Sequence, residues 1–295
     1  MTATTTETRT ERHHDAGRAA TIGRRRSSGL DERAGNIMAK VDQMKPIRIV
    51  PTSRTFHRYS AEELSGPLPP VVYKVLPEEH ARSLVDEGEM MWSTLAYFQK
   101  SEEAERGDEC EGRHTYFPIN GLEVNRTQRA GLPDNATFVL PEHGLVSKAA
   151  QSHGIFVYSL TVEPTLEIGA AADRSVVEIF DPAQFVRRVR AALPWRWADT
   201  LIHDTVRYWS SANPPEAVWA LPHMLTTHKR DDYAHQKEYR LAFGIWRSVF
   251  DFENVECFIL NKDTRWPTSR LNERQHRKKL RLGGLEDCCR LLGTK

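Results

Sequence analysis

The chain has 295 residues, 39% of them hydrophobic, which is enough for one large domain or two small ones around a real core. No run approaches the roughly 18 apolar residues of a membrane helix, and the first residues carry Thr, Arg and His where a signal peptide needs an apolar stretch, so a soluble, cytoplasmic protein without membrane contact is expected. The net charge of +1 hides a basic, acidic, basic layout: residues 1–54 hold eleven Lys and Arg against six Asp and Glu (+5), residues 262–281 hold eight against two (+6), and the remainder therefore sums to −10.

Residues 1–54 are rich first in Thr and then in Arg (Arg24, Arg25, Arg26), with few aromatic residues and no sustained apolar period, which predicts a disordered basic tail. Met38 and Met44 precede the first apolar segment, Ile47 to Val50, so a translation start downstream of residue 1 is an expectation. A compact α+β domain is predicted over residues 67–261. Val71, Val72 and Tyr73 begin a strand, and Pro77 at the first helical position opens a helix with acidic Glu78 and Glu79 and an apolar face of Ala81, Leu84 and Val85. Gly88 ends that helix, Met90 to Thr94 reads as a strand, and the acidic stretch Ser101 to Gly112 as an exposed loop. Gly154 to Val162 and Ser175 to Phe180 read as strands, followed by Asp181 as N-cap, Pro182 at the first position, and a helix carrying Phe185, Val186, Val189 and Leu193 on one face. Further strands are predicted at Thr200 to Trp209, Glu238 to Trp246 and Val255 to Leu260, and residues 262–295 as a basic, helical C-terminal extension. The absence of regular βαβ alternation argues for α+β over a doubly wound sheet.

Several enzyme classes are excluded by their missing motifs: no dinucleotide glycine fingerprint, phosphate loop, HExxH or nucleophile elbow is present. Cys110, Cys257, Cys288 and Cys289 form no CxxC pair, and the histidines do not cluster, so reduced thiols and no bound metal are expected.

The segment from His228 to Arg240 is dense in ionisable and aromatic residues and runs directly into an apolar strand. With a period of two, Tyr239, Leu241 and Phe243 face one side while Glu238, Arg240 and Ala242 face the other. Glu238 then has two readings: an acid lining a cleft, or a partner of Arg240 or Lys229 on a solvated sheet face. Two other stretches are candidates for the same cleft. Trp92, Ser93 and Thr94 with Tyr97 and Phe98 offer hydroxyls and rings, and Arg106, Asp108, Glu109, Glu111 and Gly112 offer charge, although the second stretch reads as a solvated loop by composition.

The succession Val71-Val72-Tyr73-Lys74, a helix, Gly88 to Phe98, Ile155 to Leu160, and Tyr233 with Lys237-Glu238-Tyr239-Arg240 resembles a broad bacterial family found among phage-defence and toxin-like proteins. Its layout is also similar to that of the ADP-ribosyltransferase superfamily. That resemblance covers about residues 70–260 and implies a split, antiparallel or mixed sheet with flanking helices, and NAD as substrate. It implies Glu238 as the catalytic glutamate and Ser93 and Thr94 at the second-strand hydroxyl position. Tyr97 or Phe98 would be the ring that stacks nicotinamide. Tyr73 and Lys74 stand on the first strand, where the superfamily usually has Arg or His.

Two functions follow as expectations. The first is transfer of ADP-ribose from NAD to a protein or nucleic-acid acceptor, as a toxin or phage-defence effector held by an antitoxin-like inhibitor. The second is a catalytically inactive nucleic-acid-binding or defence interaction module that uses the basic segment 270–281.

Overall fold

The computed structural model describes residues 47–48, 59–99, 111–125, 137–149, 151–163, 174–210, 221–251, 254–262 and 276–292. All of them belong to the unit Val41–Lys295. Apart from residues 47–48, the predicted N-terminal tail lies outside the described residues, as do residues 101–110 of the acidic stretch.

In chain order, β1 is Ile47–Arg48, β2 Val72–Pro77, α1 Glu78–Glu87, β3 Glu89–Thr94 and α2 Leu95–Phe98. Then come β4 Arg113–Tyr116, β5 Leu122–Asn125, β6 Thr137–Leu140, β7 His143–Ala149, β8 Ile155–Thr161 and β9 Arg174–Ile179. They are followed by α3 Pro182–Ala192, α4 Trp195–Ala198, β10 Ile202–Thr205, β11 Arg207–Trp209, α5 Pro222–Thr227 and β12 His228–Arg230. The last strands are β13 Glu238–Gly244, β14 Val255–Asn261, β15 Arg277–Arg281 and β16 Cys289–Leu292. This is a sheet-rich α+β protein, and among the described residues no helix is long and apolar enough to cross a membrane.

Local chemistry explains the helix boundaries. Glu78 and Glu79 occupy the first turn of α1, and Ala81, Leu84 and Val85 are its buried residues. Pro77 sits one position earlier than the sequence reading places it, as the N-cap that closes β2. Gly88 caps the other end at φ 66°, donating its N–H to Leu84 and Ser83. In α3, the Asp181 side chain accepts the Gln184 N–H at 2.8 Å and Pro182 takes the first turn, so that Phe185, Val186 and Val189 turn inward.

The main sheet runs β10-β13-β8-β2-β9-β16, all antiparallel, and forks at β8. One edge of β8 pairs along its whole length with β13. Its other edge is shared: Thr161 pairs with Tyr73 of β2, while Val157 and Phe156 pair with Ser93 and Thr94 of β3. Strand alternation gives the sheet two apolar faces. Phe156, Tyr158, Tyr239 and Phe243 join Trp92, Leu84 and Phe185 in one core, against α1 and α3. Ile155, Val157 and Ala242 join Ala149, Val255 and Cys257 in the other, against the second sheet, β1-β14-β7-β4.

The C-terminal segment departs from the expected helical extension. Among its described residues, β15 pairs with β3 and β16 with β9, so residues 276–292 complete the main sheet. The period is two: Leu280 is buried in the first core, Lys278 Nζ lies 3.8 Å from the centroid of Trp197, and Arg277, Lys279 and Arg281 are exposed on the other face. The single strand predicted at Thr200 to Trp209 also divides. Val206 donates its N–H to Glu238 at 2.9 Å, and beyond it β11 leaves β13 to pair in parallel with β12.

Candidate functional site

Glu238 is the first residue of β13, opposite Thr161 of the central strand β8. Upstream, β12 is followed by a 3-10 turn, Asp231–Gln236, and by Lys237 in the left-handed conformation at φ 42°. That reversal returns Lys229 to Glu238. Lys229 Nζ donates to Glu238 Oε1 at 2.7 Å and to Gln236 Oε1 at 2.7 Å, and lies 4.7 Å from the Tyr233 ring centroid. Arg240, two residues along the same strand face, donates its Nε to Glu238 Oε2 at 2.6 Å. Its guanidinium then forks onto Glu111, bonding Oε1 and, at 3.0 Å, Oε2, and also donates to the Thr226 carbonyl at 2.8 Å. Behind the carboxylate, the Tyr208 hydroxyl oxygen accepts the Glu238 backbone N–H at 2.9 Å.

The result is a buried network of two carboxylates and two cations, in which Glu111 is 1% exposed, Arg240 2%, Lys229 5% and Glu238 7%. The pairing reading needs revising: Glu238 pairs with Lys229 and Arg240 together, and the side chains of the network are buried instead of solvated. Burial opposes ionisation of Glu238, but Arg240 and Lys229 outweigh it and hold the carboxyl down at about 2. Burial likewise opposes the charge on Arg240, and Glu111 and Glu238 reverse that, keeping the guanidinium more firmly protonated than usual. Burial raises the Tyr208 phenol to about 12. At neutral pH, therefore, Glu238 is an anion and Tyr208 a neutral donor.

The sheet register locates the other residues singled out in the sequence. Tyr73, Thr161 and Glu238 form one cross-strand row, so Tyr73 and Glu238 share a face with one strand between them, about 10 Å apart. Ser93 shares that face opposite Val157, four residues along β8 from Thr161, or about 13 Å further down the strand. Lys74 turns the other way: its Nζ donates to the Ser159 carbonyl at 2.6 Å and lies 4.6 Å from the Tyr158 ring centroid, on the helix-covered face. The Thr94 hydroxyl caps α2 by accepting the Tyr97 N–H at 3.2 Å and bonds His276 Nδ1 at 2.8 Å. Tyr97 and Phe98 meet edge to face, with the Arg277 guanidinium 4.5 Å from the Tyr97 ring centroid. Phe98 packs against the second core.

The Ser93 to Phe98 stretch reaches Glu238 through Glu111. Gln99, directly after α2, donates its Nε2 to the Glu111 carbonyl at 2.5 Å. Gly112, at φ 65°, lies so close to Leu95 that a Cβ there would come within 3.0 Å of its Cδ1. α2 is thus the buttress that holds Glu111 against Arg240. Glu111 was expected in an exposed loop; its burial and pairing overturn that for the end of the stretch. The sequence marks Tyr208 only as part of a strand and Gln236 only as a member of the His228 to Arg240 segment, and Thr226 lies outside every segment singled out there.

The basic segment is partly neutralised where it is described, since Arg281 lies 3.2 Å from Glu89, which Lys279 also pairs. Residues 270–275 lie outside the described residues. No family model, no curated protein and no solved structure matches this chain.

Proposed function

We propose that the chain is an ADP-ribosyltransferase-like enzyme that cleaves the nicotinamide–ribose bond of NAD, with Glu238 as the carboxylate that faces the developing charge. The observation that carries this reading is the state of Glu238: an ionised carboxylate fixed by two cations at the opening of a central strand, on the sheet face shared with Tyr73 and Ser93. As the bond breaks, its electron pair leaves with nicotinamide and the ribose gains oxocarbenium character. An anion held in place beforehand stabilises that state more than the ground state. With a pKa of about 2, Glu238 acts as a charge and hydrogen-bond acceptor and not as a proton donor. The released ADP-ribosyl group passes to a nucleophile on a protein or nucleic acid, whose proton goes to solvent, or to water. Lys229 and Arg240 fix the orientation of the carboxylate, and Glu111 balances the second of these two cations.

The test is NAD consumption and transfer of label from NAD to candidate acceptors by the purified full chain, beside Glu238→Gln. Turnover by the wild type that falls at least about 100-fold in a folded Glu238→Gln is the expected result. No turnover or labelling with any acceptor overturns the reading.

A further inference from the structure

Tyr208 stands beside Lys229 in the parallel β11–β12 ladder and presents its hydroxyl to the start of β13. Among the described residues, its one hydrogen bond is the one its oxygen accepts from Glu238 N–H, which leaves the phenolic proton to be donated. The ring is half-buried. The cationic donors nearby are engaged: Lys229 by Glu238 and Gln236, Arg240 by Glu238, Glu111 and Thr226. Tyr208 is thus a neutral donor fixed to the backbone N–H of the residue whose carboxylate Lys229 and Arg240 hold ionised at neutral pH. A donor and a fixed anion set at one residue complement a group that carries adjacent hydroxyls, one giving a proton and one receiving it.

We infer that Tyr208 and Glu238 form a donor–acceptor pair for the hydroxyls of the ribose attached to nicotinamide: the carboxylate accepts from one hydroxyl and the phenol donates to the oxygen of its neighbour. The inference rests on the NAD reading and adds to it a substrate-binding residue. Because the phenol titrates only near 12, the pair keeps this polarity through the neutral range.

A purely structural Tyr208 would serve only to satisfy the Glu238 N–H, and its loss would weaken every ligand of the site alike. The experiment therefore compares two unreactive probes, ADP-ribose and ADP, which differ in the distal ribose. Their binding to the full chain is measured by calorimetry for the wild type and Tyr208→Phe, at a temperature where thermal unfolding shows both folded. Wild type is expected to bind ADP-ribose more tightly than ADP. Tyr208→Phe is expected to weaken ADP-ribose about tenfold, as for one lost hydrogen bond, and ADP less than about twofold. Equal weakening of both probes, or none, overturns the role of Tyr208 while NAD turnover by the wild type keeps the enzyme reading. A wild type that turns over no NAD and binds neither probe overturns both.

Discussion

Lys229 Nζ and Glu238 Oε1 meet at 2.7 Å with side chains only 5% and 9% exposed. Between those residues the chain makes a complete reversal through a 3-10 turn and a left-handed Lys237. Burying such a pair costs desolvation on both sides, and removing one member leaves the other charge stranded. Lys229→Met and Glu238→Gln are each expected to lose about 3 kcal/mol of unfolding free energy in urea. The double variant is expected to lose clearly less than the sum, because each single change strands a charge that the other removes. Additive losses would mean that the two groups do not sense each other.

The same carboxylate makes stability depend on acid. Its folded pKa of about 2 lies below the ordinary 4.5, so its contribution is fully present above 4.5 and is lost as pH falls toward 2. That difference corresponds to about 3 kcal/mol. A second, earlier loss comes from histidines. Burial holds His114 down to about 3 and His223 to about 4, and also lowers His228, with His114 and His228 ring centroids 5.4 Å apart. Each is neutral in the folded state, so its contribution is present above the ordinary 6.5 and declines as pH drops below that value. Urea unfolding against pH is expected to fall in two stages, below 6.5 and again below 4.5. Glu238→Gln should flatten the second stage alone and His114→Gln should reduce the first. A stability profile flat from pH 7 to 5 would contradict the histidine part.

Gly88 joins the first helix to the C-terminal strands. It adopts φ 66°, a Cβ there would sit 2.3 Å from the Gly283 carbonyl oxygen, and its own carbonyl accepts the Leu282 N–H at 3.1 Å. Gly283 is also left-handed at φ 77°, but the nearest atom to its Cβ would be a flexible Arg188 nitrogen at 3.6 Å. Gly283→Ala is therefore expected to cost only the conformational penalty of about 1 kcal/mol. Gly88→Ala adds a backbone clash and should cost at least about 2 kcal/mol, with faster amide exchange along β15. Equal losses in thermal unfolding would show that the close approach is relieved at no cost.

What the sequence made legible was local. The Asp181-Pro182 start of α3, the Gly88 stop of α1 and the two faces of β13 each depend on a few neighbouring residues. Glu111 was legible only as one of several charged residues offered for the same cleft, because its composition is that of the acidic residues before it, while its partner Arg240 lies 129 positions away. Only the fold singles it out, by setting it against Arg240. The strand Arg277–Arg281 was masked differently: four of its five residues are basic, and the one apolar position, Leu280, that anchors it to the core is easily lost among them. Charge suggested a helix or tail, whereas the pairing edge offered by β3 imposed a period of two.

Arg240 tests whether shape or charge holds the site together. Its planar group serves Glu238 through Nε, both oxygens of Glu111 and the Thr226 carbonyl at once, with the side chain 2% exposed. A lysine ammonium is a point charge that cannot span these acceptors from one position. Arg240→Lys is thus expected to lose nearly as much stability as Arg240→Met, about 3–5 kcal/mol, because at least one buried carboxylate remains unpaired in either case. Combining Arg240→Met with Glu111→Gln should recover part of the loss, since Glu238 keeps Lys229 and no anion is then stranded. If Arg240→Lys instead matched the wild type in urea unfolding, net charge alone would hold Glu111 and Glu238, and the buttress from α2 would have no fork to position.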